Sequence, residues 1–165
     1  MWRVCEPSVN PDLRAIADRI AAANSLLITT HARPDGDGLG SMVALGRMAI
    51  KAGKSVQLLC EDVPLRYQFL FPDQTPAGVS RFATLADRAD EVILLDTSTP
   101  GQLEPNIEAF RAVHDKTLVL DHHAVGGDIG AIQWVDEHAA AAAVMVAELL
   151  ELLAGSWMWW RPRRC

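Results

Sequence analysis

His31-Ala32-Arg33-Pro34-Asp35-Gly36-Asp37-Gly38-Leu39-Gly40-Ser41 packs one imidazole and two carboxylates into its first seven residues, between two segments of different periodicity. Before it runs the apolar segment Ser25 to Thr30, which reads as a strand. After it, Leu39 to Ala52 carries apolar residues at helical spacing. Strand, tight loop and helix start is the setting in which open α/β sheets hold ligands, at the carboxyl ends of parallel strands. Asp96 and the run Asp121-His122-His123 close two later apolar runs. If those runs are neighbouring parallel strands, all these groups meet at one edge of a sheet.

Outward from this loop the chain alternates strand and helix patterns. Asn10-Pro11-Asp12 predicts a helix start, with Asn10 as N-cap and Leu13, Ile16, Ala17 and Ile20 as its buried stripe. Leu39, Met42, Val43, Gly46 and Ile50 are expected to face the core from the next helix, with Gly53 left-handed after it. Ser55 to Cys60 reads as a strand, Pro64 to Pro72 as a short helix with Leu65, Tyr67, Phe69 and Leu70, and Pro76-Ala77-Gly78 as a turn. Phe82 to Ala89 and the segment from Pro105 through Val113 read as helices, Glu91 to Leu95 and Lys116 to Leu120 as strands. Gly126, Gly127 and Gly130 suggest a flexible loop. Ile132 to Val135 reads as a short strand, Asp136 as an N-cap, and Ala139 to Leu153 as an apolar helix. The fold class is α/β: three layers, a mostly parallel sheet flanked by helices, Rossmann-like.

With 165 residues, half of them apolar and about a fifth charged, the chain suits one soluble domain with a sizeable core. A net charge of -6 opposes an electrostatic grip on long nucleic acid. Cys5, Cys60 and Cys165 are odd in number and widely spaced, which reads as reduced thiols in a cytoplasmic protein. No apolar run reaches the ~20 residues of a membrane span.

Taken singly, each cluster has a plainer reading. The first could be an Asx turn with Asp37 as a helix cap, Asp96 a turn former, and Asp121-His122-His123 a solvated loop. Jointly, three strand ends bearing carboxylates and imidazoles fit a two-cation centre better. Histidine and aspartate suit Mn²⁺, Mg²⁺ or Zn²⁺. Two such ions ~3.5–4 Å apart can clamp a phosphoryl group for in-line attack by water. Asp96, on the strand between the other two contributors, is best placed to bridge them.

HARPDGDGLGS, LLDTS and DHH, in this order after successive strands, resemble the DHH phosphoesterase superfamily, and within it the bacterial oligoribonuclease and pAp phosphatase (nanoRNase) type. The resemblance covers about Asp12 to Leu152. It implies His31 and Asp35 on one metal, Asp37 and His122 on the other, and Asp96 on both. It also implies His123 as a catalytic, substrate-phosphate contact and Asp121 as a supporting acid that orients its neighbours. Two Mn²⁺ ions are the implied cofactor, with Mg²⁺ as the alternative. The implied substrates are short oligoribonucleotides or nucleotide phosphates such as 3'-phosphoadenosine 5'-phosphate, with no long nucleic acid and no membrane as partner. A homodimer is one open oligomeric state.

The chain departs from the family pattern at its end. The family has a Gly-x-x-x-Asp-Thr-Gly-x-Phe segment after the last helix, then a second domain, and hydroxyl residues early in that helix where this chain has alanines. The expectation is a DHH domain over residues 1–154, incomplete at its C-terminal end, with impaired turnover. Residues 155–165 would be an irregular tail rich in Trp and Arg, either a fragment end or a clip for membrane or nucleic acid. The alternatives are a non-catalytic metal- or nucleotide-binding fragment, a cyclic-dinucleotide phosphodiesterase, or a manganese-dependent inorganic pyrophosphatase.

Overall fold

A computed structural model of the chain describes residues 9–72, 74–124 and 126–156. Helix α1 (Pro11–Ala22) opens as its sequence dictates. The Asn10 side chain accepts from the amides of Asp12 and Leu13, and Leu13, Ile16, Ala17 and Ile20 are its buried stripe. Strand β1 (Ser25–Thr29) leads into α2 (Gly36–Lys51), and Gly53 (φ +82°) turns the chain toward β2 (Ser55–Leu59). Then follow α3 (Phe82–Arg88), β3 (Glu91–Leu95), α4 (Ile107–Ala112), β4 (Thr117–Asp121), β5 (Ile132–Val135) and α5 (Ala142–Ser156).

The five strands form one sheet in the order β2-β1-β3-β4-β5, every neighbouring pair parallel. The expected mostly parallel sheet is therefore wholly parallel. Strand side chains alternate between two cores, as a period of two requires. Leu26, Ile28, Ile93, Leu95, Leu118 and Leu120 pack with α1, α2 and α5. Leu27, Val92, Leu94 and Val119 pack with α3 and α4. Both faces are covered, which is why the middles of β3 (Val92 to Leu95) and β4 (Leu118 to Leu120) are unbroken apolar runs.

Several expectations are corrected. Ile50 is 48% exposed, and Leu45 and Ala49 take its place in the core. The segment from Pro64 to Pro72 does hold a short helix, but a 3₁₀ one, Leu65–Leu70: Tyr67 and Leu70 pack against the core, while Leu65 and Phe69 stay exposed. Ala77 is no turn residue: it bridges Leu59 and covers the β2 edge. Pro105 precedes α4, whose first residue is Ile107, and Val113 is only half buried. Lys116 lies outside β4, while Asp121 is inside it.

The glycine loop is shaped by close approach. A side chain at Gly130 would meet the Thr117 carbonyl oxygen at 2.5 Å. Asp136 caps only a local turn, accepting from the His138 amide at 2.9 Å. The helix starts at Ala142, not at Ala139, and runs through Ser156, past the 154 boundary. Residues 157–165, with Trp157, Trp159, Trp160, the three arginines and Cys165, lie outside the described residues, as does Cys5. No helix among the described residues is long and apolar enough to cross a membrane.

Candidate metal centre

The order β2-β1-β3 makes the gap between β1 and β3 the switch point of the sheet, where chain connections diverge and a crevice opens. His31 follows β1, Asp96 follows β3, and Asp121 ends β4 with His122 directly after it. The strand contributing Asp96 does lie between the other two.

Asp35 is the N-cap of α2: its carboxylate accepts from the amides of Asp37 (2.9 Å) and Gly38 (3.1 Å). That cap holds the loop back toward the sheet, with His31 Nε2 4.0 Å from Asp35 Oδ1. His31 Nε2 is also 3.6 Å from Asp96 Oδ2, and His122 Nε2 is 3.4 Å from Asp96 Oδ1. Asp96 is 2% exposed, its Oδ1 has no hydrogen-bond partner, and its φ of +63° is unique among described non-glycine residues. A buried carboxylate oxygen left unpartnered is costly, and a left-handed backbone adds strain. Both make sense where a function demands the position.

Two three-donor groups share Asp96: His31, Asp35 and Asp96, and Asp96, His122 and His123. In each, the donor atoms lie within 4.8 Å of one another. Two ligands ~2.1 Å from one ion sit roughly 3–3.5 Å apart, so the His–Asp separations here suit a shared cation better than a hydrogen bond. The donor set, imidazole and carboxylate, fits a divalent ion.

Asp37 is in neither group. Its Oδ2 lies 3.7 Å from His122 Nε2, but both its oxygens are engaged at the start of α5, accepting from the amides of Ala142 (2.7 Å) and Ala143 (2.8 Å). The α5 cap thus comes from 105 residues upstream, and no local pattern around Asp136 could reveal it. Asp37→Ala should therefore lower stability by about 1 kcal/mol in the absence of any metal, measurable by thermal melting; an unchanged melting temperature would contradict the cap.

Asp121, fully buried, accepts from Ser98 Oγ (2.6 Å) and from His123 through both its amide (3.2 Å) and Nδ1 (2.7 Å). This bond raises the His123 pKa above the usual imidazole value. It also holds the ring through Nδ1, with the side chain half exposed. Ser98 went unassigned in the sequence, although the hydroxyl run Thr97-Ser98-Thr99 after Asp96 marks it. A larger cavity, about 650 Å³, lies at the end of β2 beside Cys60, Glu61 and Asp62. Among the described residues no histidine, lysine or arginine lines it, and burial pushes the Cys60 thiol up to about 11, so it stays protonated.

The class is a wholly parallel α/β domain whose switch point gathers aspartate and histidine groups that could hold a metal ion. Residues 25–161 match the model of the DHH family, N-terminal domain. The chain belongs to the DHH family. It is 28% identical over 161 residues to the bifunctional oligoribonuclease and PAP phosphatase NrnA of Thermus thermophilus, covering 92% of this chain and 44% of that protein. It is 26% identical over 144 residues to a probable bifunctional oligoribonuclease and PAP phosphatase NrnA of Streptococcus mutans, covering 82% of this chain and 41% of that protein. Among solved structures, an exopolyphosphatase-related protein from Bacteroides fragilis shares the fold, with a TM-score of 0.79 and 17% identity over 95% of this chain and 47% of that one. The chain spans less than half the length of each of these proteins.

Proposed function

We propose that this domain is a metal-dependent phosphoesterase acting on short oligoribonucleotides and on adenosine 3',5'-bisphosphate. The observation that supports the reading is the buried Asp96 carboxylate, its Oδ1 without a hydrogen-bond partner, shared by two histidine-containing donor groups at the switch point. His31, Asp35 and Asp96 would hold one Mn²⁺ or Mg²⁺ ion. Asp96 and His122 would hold the other, with Asp37 or His123 completing it. When bound, such ions would offset the negative charge of the phosphoryl oxygens and activate the attacking water.

The remaining chemistry belongs to the chain. Ser98 donates to Asp121, which holds His123 through Nδ1, leaving Nε2 of this half-exposed side chain to donate to a phosphate oxygen or to the leaving group. Asp121 is thus a positioning residue. The loop from His31 to Asp35 stays rigid because its own aspartate caps α2. Resemblance to the Thermus and Streptococcus proteins supports nucleotide substrates, and the acidic balance of the chain favours short ones.

The test is phosphate release from adenosine 3',5'-bisphosphate and shortening of two- to five-nucleotide RNA, run beside pyrophosphate and a cyclic dinucleotide. Release that requires Mn²⁺, stops with chelator and returns on Mn²⁺ addition is the expected result. Turnover unaffected by chelation, or confined to pyrophosphate or the cyclic dinucleotide, contradicts it.

A further inference from the structure

We propose that a pocket next to the metal centre, lined by Arg33 and Gln102, binds a second phosphate carried by the same nucleotide. This rests on the phosphoesterase reading of the adjacent centre. The pocket, about 250 Å³, is formed by His31, Ala32, Arg33, Gly101 and Gln102. His31 belongs to both places, so a molecule held by the centre reaches the pocket directly.

The walls are fixed. The Ala32 amide donates to the Gln102 carbonyl at 2.9 Å, tying the loop after β1 to the loop after β3. Thr97 Oγ1 accepts from the Thr99 amide (3.1 Å), so its proton goes to Gln102 Oε1 (2.5 Å). The Gln102 carboxamide oxygen is thereby committed, and its NH₂ remains as a donor. Arg33 is exposed and has no hydrogen-bond or ion-pair partner among the described residues. A side chain at Gly101 would meet nothing within 4 Å, so this side of the pocket is open.

These are donors without matching acceptors. A guanidinium fork with an adjacent amide NH₂ suits an oxyanion with several oxygens, and among the described residues no carboxylate lines the pocket to repel one. Nor does an aromatic ring offer a stacking platform for a base. The volume is below the range of pockets that enclose whole small molecules, so a phosphate or ribosyl phosphate is the fitting occupant. The acidic centre takes the phosphoryl group to be cleaved; Arg33 and Gln102 take the other and set which end of the nucleotide lies at the ions.

With the 3'-phosphate at the centre and the 5'-phosphate in the pocket, the experiment is calorimetric binding of Mn²⁺, adenosine 3',5'-bisphosphate and adenosine 3'-monophosphate, which lacks the pocket phosphate, to the 165-residue chain and to Arg33→Gln and Arg33→Lys. Arg33→Gln should weaken the bisphosphate roughly tenfold or more while leaving the monophosphate and Mn²⁺ within about twofold. Arg33→Lys should recover part of the loss, since charge returns without the fork. Equal losses for both nucleotides, no loss for either, or no bisphosphate binding to the Mn²⁺-loaded chain would overturn the pocket assignment. Failure of the unaltered chain to bind Mn²⁺ would instead overturn the metal-centre reading.

Discussion

Asp96→Asn should cut Mn²⁺ affinity roughly 100-fold or more and remove the thermal stabilisation that Mn²⁺ confers. Asp96 is the single residue common to both donor groups, so its charge serves two positions at once. Replacing groups that merely orient metal ligands costs ~10–100-fold, and a shared ligand should cost at least the upper figure. Asparagine is the informative variant: it is nearly isosteric and tolerates the left-handed backbone that Asp96 adopts. The metal-free protein should therefore melt within a few degrees of the unaltered chain. At Mn²⁺ near 100 times its dissociation constant, the unaltered chain should gain ~2.7 kcal/mol, roughly 5–10 °C for a domain of this size. The variant should gain almost nothing. An undiminished shift would mean that the cation binds elsewhere.

Gly38→Ala should destabilise the fold by ~1–3 kcal/mol, against the ordinary preference of helices for alanine. A Cβ at Gly38 would lie 2.4 Å from Thr30 Oγ1, 3.2 Å from Thr30 Cβ and 3.4 Å from Asp96 Oδ2. The added methyl group clashes with the buried Thr30 side chain, which must shift, and comes into contact with the shared carboxylate. Two further variants make the argument specific. Gly40→Ala, two positions on in the same helix, meets nothing within 4 Å and should stabilise by ~0.5–1 kcal/mol. Adding Thr30→Ala to Gly38→Ala should restore much of the loss, because Thr30 Oγ1 has no hydrogen bond to forfeit. Melting curves of the four proteins check this, and equal effects at positions 38 and 40 would contradict it.

Much of this architecture is legible in local pattern. Asn10-Pro11-Asp12 predicts α1 because capping is a matter of adjacent residues, and β1, β3 and β4 announce themselves as buried apolar runs. Where those runs end also shows where His31, Asp96 and His122 gather, since parallel strands align their carboxyl ends. The failures share a different cause. Asp136 looks like a cap for α5, yet Asp37 provides that cap from another element, a partnership no window of sequence contains. Ile50 continues the helical stripe of α2 yet is 48% exposed, because which residues of a helix meet the sheet depends on how the two pack and not on spacing alone. Gly130 reads as flexibility and is instead a point of backbone contact. The roles of Ser98, Thr97 and Gln102 likewise depend on loops meeting across the sheet, which residue type alone does not specify.

The pairing of two cation positions through Asp96 is tested most directly by a crystal structure of the Mn²⁺-soaked protein with anomalous data at the manganese edge. Two peaks ~3.5–4 Å apart should flank the Asp96 carboxylate, one beside His31 and Asp35 and the other beside His122. A single peak remote from Asp96, or none at saturating Mn²⁺, would contradict the account.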